Sequence, residues 1–147
     1  MCMRCDGYSP EEVDRHTDLL IRVHGFMIQQ VEDDPPWTYT VGVSESWNRP
    51  ELLIVDIDGA TQARLVKAVA DDYVRLGDIQ PSTLEKLDVE LIEVDEVHFR
   101  DGLVAQWEHR YSMSASTGDF LQIVPGPSWL CDRHVATVRR LDDPECP

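Results

Sequence analysis

The chain of 147 residues carries 28 Asp and Glu against 13 Lys and Arg, a formal net charge of −15. That balance argues against recognition of nucleic acid through its phosphates and against docking on anionic membranes, because both need clustered basic side chains. With 42% apolar residues the chain can build a core, its length suits one domain spanning 1–147, and no run approaches the roughly 20 apolar residues of a membrane-spanning helix.

The first helix is predicted over residues 10–24. Ser9 stands as its cap, Pro10 suits the first helical position, and Glu11 and Glu12 favour the positive end of the dipole. Glu12 follows Ser9 at capping-box spacing. Val13, Leu20 and Val23, with His16 and Leu19 beside them, recur at helical period, and Gly25 fits the position just past the end. Residues 26–31 read as a short strand. Glu32-Asp33-Asp34-Pro35-Pro36 cannot continue it, since the prolines lack N–H groups and the acids repel one another. Residues 37–43 alternate as a strand, with Trp37, Tyr39, Val41 and Val43 on one face, and Gly42 marks a bulge or a close backbone approach. Residues 44–50 read as a loop, and 52–55 as an apolar strand buried on both faces.

Asp58 is the expected cap of a second helix, in which Ala60, Ala63, Val66, Val69, Ala70, Tyr73 and Val74 keep the period until Gly77. Residues 78–86 read as a polar loop containing Pro81. Residues 87–97 read as a half-exposed strand whose alternation breaks at Leu91-Ile92. Leu103, Val104, Trp107 and Tyr111 predict a helix over about 102–109, and 119–124 form the last strand, stopped by Pro125-Gly126-Pro127. Residues 1–8 and 125–147 read as irregular, with one turn near Val135. The order predicts an α+β domain: a mainly antiparallel sheet of about five strands with two to three helices packed on it. A parallel crossover fits between 53–55 and 87–97.

The most specific chemical feature is split between the ends. Cys2-x-x-Cys5 opens the chain and Cys131-x-x-His134 lies near its end. Two residues between ligands is knuckle spacing, and Cys2, Cys5, Cys131 and His134 together would close a tetrahedral structural zinc site joining the termini. The other readings are a free, idle pair with Cys131 buried as a small apolar residue, a disulfide, and a redox pair. Met1-Cys2-Met3-Arg4-Cys5-Asp6 lacks the apolar centre of a signal peptide, which points to the cytoplasm, where thiols stay reduced. The redox reading lacks an adjoining helix N-terminus, and Asp6 works against a lowered thiol pKa. Cys146 reads as a bystander.

Other candidates are single residues. Glu51, at the mouth of the central strand, is a candidate general acid or base, or else a carboxylate bonded to nearby backbone N–H groups or Arg49. Tyr39, His24 and His98 could join it in a groove beside the central strand pair, while His24 at a helix end also suits a structural role toward free carbonyls. Trp47, in a polar stretch, is a candidate contact residue; Trp37 and Trp107 sit in apolar patterns and read as core. No H-E-x-x-H, G-x-S-x-G, Walker or G-x-G-x-x-G pattern occurs.

The motifs Met1-Cys2-x-x-Cys5-Asp6-Gly7-Tyr8-Ser9, His24-Gly25-Phe26, Trp37-x-Tyr39-Thr40-Val41-Gly42 and Pro50-Glu51-Leu52, in that order, resemble the bacterial family DUF4262, a domain of unknown function. Phe120-Leu121-Gln122-Ile123-Val124 and Cys131-x-x-His134 resemble the ends of some members. Arg49 stands where the family usually has a His before the Pro-Glu pair. The resemblance implies a small cytoplasmic bacterial or phage protein with no established activity. It also implies that the two Cys-containing ends belong together.

These readings converge on a non-enzymatic domain that binds another macromolecule, a basic protein rather than nucleic acid, with a structural zinc. A hydrolase-type enzyme beside the central strands is the first alternative. The second is an acidic nucleic-acid mimic, which requires the acids to line one face; their spread along the chain fits a solvated surface better.

Overall fold

The computed structural model describes residues 7–130 and 138–144. The first helix, α1 (Pro10–His24), starts and stops on its predicted caps. The Ser9 hydroxyl accepts from the Glu12 N–H and donates to the Glu12 carboxylate, both at 3.2 Å, and the Gly25 N–H, at φ 89°, returns to the Ile21 carbonyl at 2.7 Å.

Five strands follow: β1 (Met27–Val31), β2 (Trp37–Val41), β3 (Glu51–Val55), β4 (Val89–Glu93) and β5 (Phe120–Pro125), laid out in the order β1-β2-β3-β5-β4. All neighbours are antiparallel except β3 and β5, which run parallel with Leu52 opposite Leu121. The α+β reading with a mainly antiparallel five-stranded sheet therefore holds. The parallel pair differs from the expected one: β4 lies outside β5 rather than beside β3. Glu90 and Glu93 are exposed on β4 and could not take a central place, whereas Phe120, Gln122 and Ile123 of β5 are fully buried there.

There are five α-helices among the described residues rather than two to three. The sequence-expected ones are α1, α3 (Gly59–Leu76, capped by Asp58 at 2.9 Å to the Thr61 N–H) and α5 (Ala105–Tyr111). Two short ones, α2 (Val43–Trp47) and α4 (Pro81–Leu87), occupy stretches whose composition reads as loop. The strand expected over 87–97 shortens at both ends: Asp88 turns at φ 54°, and Asp95 caps a 3₁₀ turn (Glu96–Phe99) that buries Phe99.

Both faces of the sheet are covered. On one, Tyr39, Val41, Leu53, Val55 and Phe120 meet Ile21 of α1, Trp107 of α5, Phe99, and Val138 and Leu141. On the other, Leu52, Ile54 and Ile123 meet Leu65, Val66, Val69, Ala70 and Tyr73 of α3. Successive residues of β3 alternate between the two, which is why that strand is apolar throughout after its first residue. No described helix is long and apolar enough to cross a membrane.

Candidate functional site

The chain leaves β2 through Gly42 at φ 112°. A Cβ there would sit 2.9 Å from Ile21 Cγ1 and 3.0 Å from the Gly25 carbonyl oxygen, so both the dihedral and the close approach require glycine. The turn aims the first amides of α2 at the start of β3, where Glu51 is completely buried. Six donors converge on its carboxylate. Oε1 accepts from the Thr40 hydroxyl at 2.9 Å and the Val43 N–H at 3.0 Å. Oε2 accepts from the Gly42 N–H at 3.2 Å, the Ser44 N–H at 3.1 Å, the Ser44 hydroxyl at 2.8 Å and the Trp107 indole N–H at 3.2 Å. Thr40 is fixed in turn by the Leu52 N–H, which donates to its hydroxyl at 2.9 Å.

Burial pushes the Glu51 carboxyl above its ordinary value, against the pull of the Ser44, Thr40 and Val43 donors. All six partners donate, so the arrangement is built for the ionised form. The carboxylate acts as the missing cap of α2, locks β2 to β3 and anchors the Trp107 ring of α5. Its roughly four lone-pair positions are already oversubscribed, which leaves none for a substrate proton. Glu51 thus bonds backbone N–H groups as one sequence reading has it, but not Arg49, which pairs with Asp78 at 3.4 Å.

Tyr39 has a similar duty on the same sheet. It is 2% exposed, and its hydroxyl accepts the Gln106 N–H at 3.0 Å, near the start of α5. Burial raises its phenol well above the usual range. The remaining candidates lie apart. His98 Nε2 faces the Asp143 carbonyl at 2.7 Å. His24, exposed at the end of α1, lines a groove together with α3 residues. Trp47 is half-buried in α2, stacked on Tyr73 with ring centroids 6.0 Å apart and lying across Gly25. Tyr39 and Glu51 are buried, and of the four only His24 lines the groove between α1, β1 and α3.

No local pattern marks Thr40, Ser44 or Trp107 as partners of Glu51, because the indole comes from 56 residues away. The available signal is a charged residue opening an otherwise apolar strand. A second cluster was also unmarked. Arg110 of α5 bonds Asp18 of α1 at 2.6 Å and both oxygens of Glu45 of α2 at 3.0 Å, and the Tyr111 hydroxyl adds 2.6 Å to Glu45. This clasp joins three helices on the surface. The hydrogen bonds from Arg110, with help from Tyr111, hold the Glu45 carboxyl below its ordinary value.

A groove of about 560 Å³ lies between α1, β1 and α3, lined by Leu20, Val23, His24, Phe26, Met27, Ile28, Lys67, Asp71 and Val74. Val23 and Val74 on it are 64% and 49% exposed. The four zinc-ligand candidates, Cys2, Cys5, Cys131 and His134, lie outside the described residues. Among the described residues no group of three or more His, Cys, Asp or Glu side chains is placed to hold a metal.

The fold and this arrangement define an α+β domain with a buried carboxylate hub and an external apolar groove. Residues 20–125 match the family model described as Domain of unknown function (DUF4262), and the chain belongs to that family. The matched span takes in the groove and the Glu51 hub but neither Cys2-x-x-Cys5 nor Cys131-x-x-His134. No curated protein and no solved structure matches the chain.

Proposed function

We propose that this protein is a non-enzymatic, single-domain binding module of the cytoplasm that takes a basic protein partner in the groove between α1, β1 and α3, with a structural zinc joining its ends. The observation that carries the reading is the groove itself. Aliphatic side chains of Val23 and Val74 stand in solvent at a recess that Leu20, Phe26, Met27 and Ile28 also line, with His24, Lys67 and Asp71 among them. A concave surface with exposed aliphatic side chains at its rim gives a partner a place to dock. The net charge of −15 selects a basic partner and speeds its approach. Glu51 and Tyr39, the polar groups an enzyme beside the central strands would use, are spent on helix ends.

Photo-crosslinking in the producing cell tests this. Benzoylphenylalanine at position 23 or 74 is expected to capture a discrete basic protein, and at exposed Met113, away from the groove, to capture none. Equal capture at both places, or none from the groove, rejects the reading.

A further inference from the structure

The two edges of the sheet are treated differently. The outer strand β4 carries Glu90 and Glu93, and Arg140 covers Glu90 with two bonds of 3.0 and 3.2 Å. Charges and covering segments of this kind are how sheet edges are kept from pairing with other chains. At the opposite edge, β1 reads Met27-Ile28-Gln29-Gln30-Val31, with no charge, no proline and no bulge against β2. Among the described residues it has a strand neighbour on one side only.

The groove opens at the start of that strand, where Met27 and Ile28 of β1 line it. Its lining takes Met27 from the face of β1 that meets Ile21 and Tyr39, and Ile28, with Phe26 just before the strand, from the side that meets α3. A recess lined from both faces of a strand runs past its edge. We infer that β1 accepts a sixth strand, supplied by an extended, apolar segment with basic residues at one end. This inference rests on the protein-binding reading above and specifies how the partner is held.

A strand set about 4.8 Å from β1 would send alternate side chains toward Leu20 and Val23 of α1 and toward Val74 of α3. The charges at the two ends of β1 give the incoming strand a direction. Exposed Asp33 and Asp34 follow the far end of β1, beyond the groove lining, while Lys67 and His24 line the groove at the near end, where Asp71 is engaged by Arg75 at 2.8 Å. Basic residues of the incoming segment belong beside residues 33 and 34. Antiparallel addition, the more stable pairing per residue, places them at its N-terminal end. A second copy of this chain would bring its own −15 and its own Asp33 and Asp34, which favours a basic partner over self-pairing.

The test uses the full chain and two capped peptides, Lys-Lys-Val-Thr-Val-Thr-Val and its Glu-Glu counterpart, with amide exchange followed by NMR. The basic peptide is expected to slow exchange at alternate residues of β1 and to bind at least about tenfold more tightly than the acidic one at low salt, the gap closing as salt screens the charges. Equal binding of the two, or no slowing in β1 at millimolar peptide, overturns the inference. So does a free protein that sediments as a dimer with its β1 amides already slowed, which would make a second copy the occupant. Groove crosslinking with unchanged β1 amides would sink strand addition and leave the binding reading standing. Loss of both would remove the two together.

Discussion

Replacing Glu51 by Gln changes one oxygen into an NH₂ group inside a shell of six donors. If the amide nitrogen takes the Oε2 place, it faces the Gly42 and Ser44 N–H groups and the Trp107 indole. The cheaper orientation puts it at Oε1, against the Val43 N–H. At least one backbone donor is then buried without a partner, which costs about 1–3 kcal/mol. The bonds kept by the other oxygen lose their charge assistance, roughly half the strength of each. The sum is about 4 kcal/mol, the scale on which breaking a buried charged contact is felt. For a chain of this size that lowers the melting temperature by on the order of 10 °C. Urea unfolding followed by circular dichroism and tryptophan fluorescence measures it directly, with Trp107 reporting from the site. A loss below about 1 kcal/mol would refute the reasoning. It would mean that burial keeps Glu51 protonated at neutral pH, a form that Gln copies closely.

Gly42→Ala forces a Cβ against Ile21 and the Gly25 carbonyl at a left-handed dihedral, and should cost about 1–3 kcal/mol in the same assay; a neutral result would show that α1 and the β2–α2 turn give way easily. Glu45→Gln tests the surface clasp through pH. The folded Glu45 pKa lies below its ordinary 4.5, so its contribution is full above that value and is lost as the pH falls through the depressed one. The wild type should lead the variant by about 0.5–1 kcal/mol at neutral pH, with the gap closing in acid, and a gap that widens in acid contradicts the assignment. For the proposed zinc, metal analysis of untagged protein should give about one equivalent, and Cys131→Ser should release it. Less than about a tenth of an equivalent with all thiols free removes the metal from the account.

What could be read from the sequence was local. Ser9, Asp58, Gly25 and Gly77 announce the ends of α1 and α3 because a cap is satisfied within four residues. The alternation of Trp37 to Val41 and the apolar run from Leu52 placed β2 and β3. What escaped depends on distant partners. The helix α2 is a single short turn region in a polar stretch, and its amides are satisfied by a carboxylate seven to nine residues ahead. The short helix α4 was hidden in the same way, since Leu84 and Leu87 become apolar anchors only once the α3 side of the core exists. Choosing β5 over β4 as the neighbour of β3 required weighing the exposed glutamates of β4 against Phe120 and Ile123. For the candidate site, residue types were informative and roles were not. Glu51 stood out as a charge at the head of an apolar strand, yet nothing local reveals that six donors close over it. The groove could not be anticipated, because it arises from where α1 and α3 flank β1.

The stretch 138–144 lies past the family-matched span, yet it is built into the sheet's cover. Val138 and Leu141 are buried beside Phe99 and Phe120, the Leu141 N–H donates to Gln122 Oε1 at 2.7 Å, and Gln122 in turn donates to the Arg139 carbonyl at 2.6 Å. Arg139 also grips Asp56, at the end of β3, with its backbone N–H at 2.9 Å and a forked guanidinium. Where relatives resemble one another and where a chain can be cut are therefore different boundaries. A fragment trimmed to residues 20–125 would begin inside α1 and strand the buried amide of Gln122. Domain-swapped or truncated versions of this protein need their C-terminal seam at or beyond residue 144.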